Sequence, residues 1–278
     1  MTAATVHSLI CYPVKGCAGV PLDGTDVTAT GLVHDRTFMV VDAFDGAFRS
    51  QRTLPRMALV RAEVIDDGKH VALSAPGAGE LTVEAVDEGP LREVSIFDRP
   101  QGPAVDQGEE AARWFSQVLG APSRLVRVRP GFDRDGWGEH PGKVNFADAH
   151  ALSVASLASL DDLNRRITEH GGTPVPMDRF RPNIVVAGWS EPHTEDRVRI
   201  MDVGTTRIGY SVRATRCSVP LVDQATGRTA GPEPVRTLAG YRREPEFGNR
   251  VSFAMKAAVL RPGAIAVGDP VDVRSWAH

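Results

Sequence analysis

Lysine is scarce in this 278-residue chain: four lysines stand beside 28 arginines. Cysteine is scarcer, limited to Cys11, Cys17 and Cys217. Three thiols cannot build a disulfide framework or the four-thiolate cage of a typical iron–sulfur cluster. No apolar run approaches the ~18 residues needed to span a bilayer. No basic residue precedes Lys15, so the start of a signal peptide is missing. The expectation is a soluble, cytoplasmic protein without membrane contact. Charge of one sign is also lacking, the net being −3, which argues against a general binder of nucleic acid polymers. GxGxxG, GxxxxGKS/T, GxSxG and HExxH are all absent. Dinucleotide enzymes, P-loop NTPases, α/β-hydrolases and zinc hydrolases therefore lack support.

What is present is an ordinarily globular composition, 42% hydrophobic and 24% charged. At about 150 residues per domain the length suggests two modules or one large β-rich domain. The first hundred residues read as a β meander. Segments 37–42 and 47–52 flank an Asp45-Gly46 hairpin signal, and 57–65, 70–74, 80–86 and 91–97 follow at turn-bounded intervals. The Pro/Gly-rich stretch 98–108 breaks the pattern. Residues 108–120 then read as a helix, with acidic residues in its first turn and Gly120 at its end. Residues 123–129 predict a strand and 129–143 a polar, turn-rich loop, of a length that in compact domains is functional or disordered. A clear helix spans 156–170. Strands at 182–188, 197–203, 206–212 and 251–260 surround a short helix near 234–243.

Chemistry-bearing residues are few. Cys217 follows a strand in RATRCSVP, beside Arg213 and Arg216, cations that favour the thiolate, which is a nucleophile and a soft-metal ligand. The bland reading is a small buried hydrophobe. YPVKGC (12–17) puts Lys15 on a glycine-containing turn, fit for a phosphate or simply a turn. Arg36 stands at the mouth of a strand with Asp35 beside it. In RFRPNIVV (179–186), Arg179, Arg181 and Asn183 mark a strand start, as anion ligands or as solvated edge residues. The arginine excess reads either as a GC-rich genome or as anion recognition by bidentate guanidinium.

Taken together these segments resemble a known family. YPVKGCAGVPLDGTDVTATGLVHDRTFMVVD is similar to the N-terminal β-barrel of MOSC proteins. FADAHALSVASLASLDDLN, RFRPNIVV, RCSVPLVDQATG with EPVRTLAGYRR, and GAIAVGDPVDV resemble the MOSC domain in order and spacing. Within that superfamily the chain looks closest to the amidoxime-reducing components and to bacterial proteins that detoxify N-hydroxylated bases.

The resemblance implies a mainly β fold, with a MOSC N-terminal β-barrel over 1–120 and a MOSC β-barrel with peripheral helices over 121–278. It implies molybdenum cofactor (Mo-molybdopterin) held between the modules, and reduction of a small N-hydroxylated substrate. The molybdenum-coordinating cysteine falls on Cys217. Cofactor contacts fall on Lys15, Gly16, Arg36, Ala149, His150, Arg181 and Asn183, with Asn183 offering donor and acceptor to a pterin edge. Asp148 falls near the metal as a proton relay. Gly16, Ala149 and His150 replace hydroxyl-bearing residues of the family, and Ala214 leaves no CxxC pair with Cys217. With too few cysteines for a cluster and no flavin or nicotinamide motif, the chain is expected to take electrons from a separate reductase or ferredoxin-type donor. The alternatives are a non-catalytic carrier or store of the cofactor, and a protein transferring sulfur as a Cys217 persulfide.

Overall fold

The computed structural model describes residues 3–277. It is mainly β. Named strands pair antiparallel except in two places, where Leu152–Ser156 runs alongside Ile184–Ala187 and Val14–Lys15 alongside Phe38–Asp42.

The larger sheet has nine strands. Its central members are Thr206–Thr215, Arg250–Arg261, Leu152–Ser156 and Ile184–Ala187, and the N-terminal strand Thr5–Cys11 joins it by pairing with Ile184–Ala187. Val6 and Leu9 of that strand sit in one core with Ile184, Val186, Met255 and Ala257. A second sheet of five strands contains Leu91–Ile96, Arg99–Asp106, Ser123–Arg127, Phe38–Asp42 and Val14–Lys15. The chain thus crosses twice: its first strand serves the later half, and Ser123–Arg127 returns to the earlier one.

Among the described residues the α-helices are Gly108–Leu119 (α1), Leu157–Glu169 (α2) and Val235–Leu238 (α3). α1 buries Ala112, Phe115 and Leu119 and stops where Gly120 turns left-handed at φ 66°, a conformation that costs glycine nothing. α2 begins at Ser156, whose hydroxyl accepts from the Ser159 N–H, and buries Leu163 and Ile167.

Three local expectations change. Residues 47–52 are not a strand. Ala47 and Phe48 make single bridges, and then Ser50 takes over: its carbonyl accepts from Thr53 N–H (3.1 Å) and Leu54 N–H (2.9 Å), and its hydroxyl from Arg52 N–H (3.2 Å). Side-chain turn chemistry outcompetes the ladder there. Residues 57–59 close a 3-10 turn, Pro55–Leu59, before the strand Arg61–Ile65 starts. The stretch after Phe97 does not break the sheet. Arg99–Asp106 pairs along Leu91–Ile96, and its other side is paired only at Val105 and Asp106. Pro100 and Pro103 are tolerated because that length of strand is an edge.

Candidate functional site

Lys15, Gly16, Arg36, Asp148, Ala149, His150, Arg181, Asn183 and Cys217 line one cavity of about 140 Å³. It shares a wall, including Asp148, Cys217 and Lys256, with an outer cavity of about 920 Å³. The residues come from both halves of the chain.

The floor is built on Asp35, which is 2% exposed. Its carboxylate accepts from the Tyr12 N–H (2.8 Å), the Asn183 amide (3.0 Å) and Arg36. Arg36 and Arg181 both stand in the left-handed region, at φ 49° and 53°. Non-glycine residues adopt that conformation at a cost, and such positions cluster at functional sites. Both guanidiniums stand against the Tyr12 ring, at 4.4 and 4.3 Å. Arg181 also donates to the Cys17 carbonyl (2.6 Å) and to Gln224 (3.2 Å). Gln224 and Gln51 exchange amide hydrogen bonds across the cavity edge. Gly16 turns at φ 84° and its carbonyl accepts from Gln51 (2.8 Å).

Asn183 corrects the expectation of a pterin-reading amide. Its nitrogen donates to the Ile10 carbonyl and Asp35, and its oxygen accepts from Arg36 and the Ser153 N–H. Both donors are used, and the oxygen already accepts two bonds. Asn183 therefore fixes Arg36 rather than reading a ligand.

Lys15, on the two-residue strand beside Phe38–Asp42, is buried and ion-paired with Asp148, under the Phe48 ring at 4.8 Å. Burial pushes Lys15 down, against the pull of Asp148. Asp148 itself is held well below the usual carboxylate range: burial works to raise it, and Lys15, followed by Lys256 and Arg52, outweighs that. A carboxylate so held is ionised at neutral pH, a proton acceptor rather than a donor. Its segment is tied to Arg36 by Phe146 N–H donating to the Arg36 carbonyl (3.0 Å). The neighbouring loop 129–143 is ordered against it. Gly136 lies so close that an added Cβ would meet the Ala149 carbonyl at 2.4 Å. The Trp137 carbonyl is 2.9 Å from His150 Nε2. Burial, then Lys256, brings His150 down to about 4, so its imidazole is neutral.

Cys217 is the exposed cysteine; Cys11 and Cys17 are buried. Burial pushes Cys17 up to about 12 and Cys11 higher still, leaving both as inert thiols. Of the two arginines expected beside Cys217, Arg213 is spent on Glu244 (2.8 Å). Arg216 remains adjacent and grips the Phe253 and Phe180 carbonyls.

Sequence reasoning missed Tyr12 as the stacking platform, and Gln51, Phe48 and Phe97 as walls. It also missed Lys256. A lysine in the middle of the apolar run VSFAMKAAVL was the available signal, since such a residue is rarely placed inside without a task.

The residues fit a cofactor carrying phosphate and a metal. Among the described residues Arg52, Arg181, Arg216 and Lys256 line the inner cavity without any carboxylate partner. That surplus of positive charge suits a phosphate group. No cluster of three or more His, Cys, Asp or Glu is present among the described residues. A metal here would have Cys217 as its protein ligand and the cofactor's own atoms as the rest.

Residues 3–122 match the MOSC N-terminal beta barrel domain, and residues 141–272 the MOSC domain. Mitochondrial amidoxime-reducing component 1 of Mus musculus is 32% identical over 286 residues, covering 96% of this chain and 81% of the relative. Mitochondrial amidoxime reducing component 2 of Bos taurus is 32% identical over 294 residues, covering 96% and 82%. Molybdenum cofactor sulfurase of Danio rerio is 31% identical over 260 residues, 87% of this chain but 31% of that longer protein. No described helix is long and apolar enough to cross a membrane. With both domain types in order and a third of its residues shared along most of their length, the chain belongs to the MOSC-domain family of the amidoxime-reducing components.

Proposed function

We propose that this protein is a molybdenum-cofactor-dependent oxidoreductase that reduces N-hydroxylated compounds, removing the oxygen as water. The observation that carries the reading is the exposed Cys217 thiol facing a cavity whose cations outnumber its carboxylates. The names of the relatives point to the same substrate class.

Arg36 and Arg181, braced by Asp35, Asn183 and Tyr12, would hold the phosphate of the cofactor, and the Gly16 turn would bring backbone close to it. Cys217 would be the protein's ligand to the metal. When bound, the group supplies the two-electron redox centre that no side chain of this chain offers. The outer cavity, walled by Phe97, Phe132, Trp137 and Phe247, is where a flat N-hydroxylated substrate would wait. Electrons come from a separate redox protein.

The test is metal and pterin analysis of protein made in a host that synthesises the cofactor, followed by amidoxime turnover with dithionite. Bound molybdenum with formation of amidine supports the reading. Bound cofactor without turnover indicates a carrier, and a cyanide-labile sulfur without metal indicates sulfur transfer. NADH or NADPH alone should support no turnover, because nothing in the chain resembles a nicotinamide site.

A further inference from the structure

Lys256 sits in the middle of Arg250–Arg261, the longest strand, opposite Ser153 on one side and Val212 on the other. It lines both the inner and the outer cavity, with Cys217 and Asp148. Among the described residues its ammonium has no hydrogen-bond or ion-pair partner, whereas Lys15, the other lysine of the inner cavity, is paired with a carboxylate. Its Nζ is thus left open to the cavity, where it can exchange a proton with solvent and with a substrate. Resting on the N-reductase reading, we propose that Lys256 is the proton donor of the reaction: its ammonium protonates the oxygen that leaves the substrate nitrogen, and solvent in the outer cavity restores the proton.

The balance is simple. The N–OH substrate gains two electrons from a reduced redox protein and two protons. The N–O bond breaks, the oxygen leaves as water with the proton from Lys256 Nζ, and the nitrogen takes its proton from solvent.

The competing groups are excluded one by one. Asp148 is held as a carboxylate beside Lys15, and the Lys15 ammonium is buried and engaged by Asp148 rather than free to reach a substrate. The guanidiniums of Arg36 and Arg216 do not release protons near neutral pH. His150 is neutral and its Nε2 is engaged by the Trp137 carbonyl. Burial, then Arg216 and Arg36, with Lys15 adding and Asp148 opposing, brings Lys256 down to about 7. An acid that titrates near the working pH is the efficient one.

The scarcity of lysine makes the test clean. The whole chain is treated with cyanate across pH 5–11, and carbamylation of each lysine is followed by peptide mass. Lys256 should react with a midpoint near 7, well below the ordinary lysine range. A midpoint in the ordinary lysine range, or no reaction at any pH, overturns the proposal. In cofactor-loaded protein, Lys256→Arg should keep its molybdenum and lose kcat about 100- to 10,000-fold, and should lack the decline in kcat above pH 7 expected of the parent. Normal turnover in Lys256→Arg, or loss of molybdenum from both Lys256→Arg and Lys256→Met, would make Lys256 an anchor and sink the idea. A parent without N-reduction removes the reading beneath it, and the cyanate midpoint, measured without substrate, separates that failure from a misread lysine.

Discussion

Tyr12, Asn183 and Arg36 all converge on the carboxylate of Asp35, and each depends on the others for its place. Replacing Asn183 by Ala leaves the Ile10 carbonyl and one Asp35 oxygen short of a donor and releases one side of Arg36. A buried polar group stripped of its partner costs roughly 1–3 kcal/mol. Asn183→Ala should therefore lower the urea midpoint and, through Arg36, weaken cofactor retention, although the side chain reaches no ligand. Intact retention in a destabilised variant would show that Arg36 needs no such brace. The cysteines separate in the same way. Cys217→Ala should abolish N-reduction and alter the metal's electron paramagnetic resonance signal, with much of the cofactor still bound, while the unfolding free energy stays within about 0.5 kcal/mol of the parent, as for an exposed position. Cys17→Ala should cost stability, a buried thiol being lost from the core around Met57 and Phe115, and leave the metal signal intact. The sequence made Cys217 and Lys15 legible because each stands in a motif. Asn183 and Lys256 were not legible in their roles: what decides them is which hydrogen bonds are already taken, and that is settled by residues more than a hundred positions away, such as Asp35 and Asp148.

At the level of elements, helices were read well because their signals are local. The 3.6-residue spacing of Leu163 and Ile167, the Ser156 cap and the Gly120 stop all lie within one element. Strands were read less well where pairing is one-sided. Nothing local in 99–106 announces that Leu91–Ile96 will accept it despite two prolines. The loops that carry site residues owe their order to groups such as His150, and this gives the fold a pH dependence. Burial holds His150 at about 4, aided by Lys256, and His193 at about 4, aided by Arg242. Unfolded, both imidazoles take protons from about pH 6.5 downward; folded, they do not until about 4. The sign is therefore fixed: stability from this source is complete above pH 6.5 and falls as pH drops towards 4, by roughly 3 kcal/mol for each histidine. Both ring nitrogens of His193 lack a partner, so His193→Leu removes no hydrogen bond. The variant should lose less stability between pH 7 and pH 5 than the parent, as read from urea midpoints. An unchanged slope would mean that His193 is protonated in the fold.

On the scale of the whole molecule, the two matched regions are adjacent in sequence but interleaved in the sheets. Thr5–Cys11 lies in the larger sheet between Ile184–Ala187 and Val20–Leu22, and Gly24–Thr28 pairs with Gly263–Ala266 near the far end of the chain. A fragment beginning after residue 122 would therefore lack two strands of that sheet. It would expose the Ile184–Ala187 edge, and unpaired edges are sites of aggregation. It would also lose Val6, Leu9, Val27 and Leu32 from a core they share with Val154, Ile184 and Ile265. At about 1.5–3 kcal/mol for each buried aliphatic side chain, that loss is comparable to the 5–15 kcal/mol by which domains are stable. Residues 123–278 made alone should be insoluble or should lack cooperative unfolding. Supplying residues 1–36 through a flexible linker after His278 should restore a cooperative transition, because it returns the missing strands to the open edges. Cofactor retention should return only in part, since Phe48, Gln51 and Phe97 of the inner wall would still be absent. Cooperative unfolding of the bare fragment, with a stability like that of the whole chain, would mean that these cross-paired strands are ornaments of the fold and not part of its foundation.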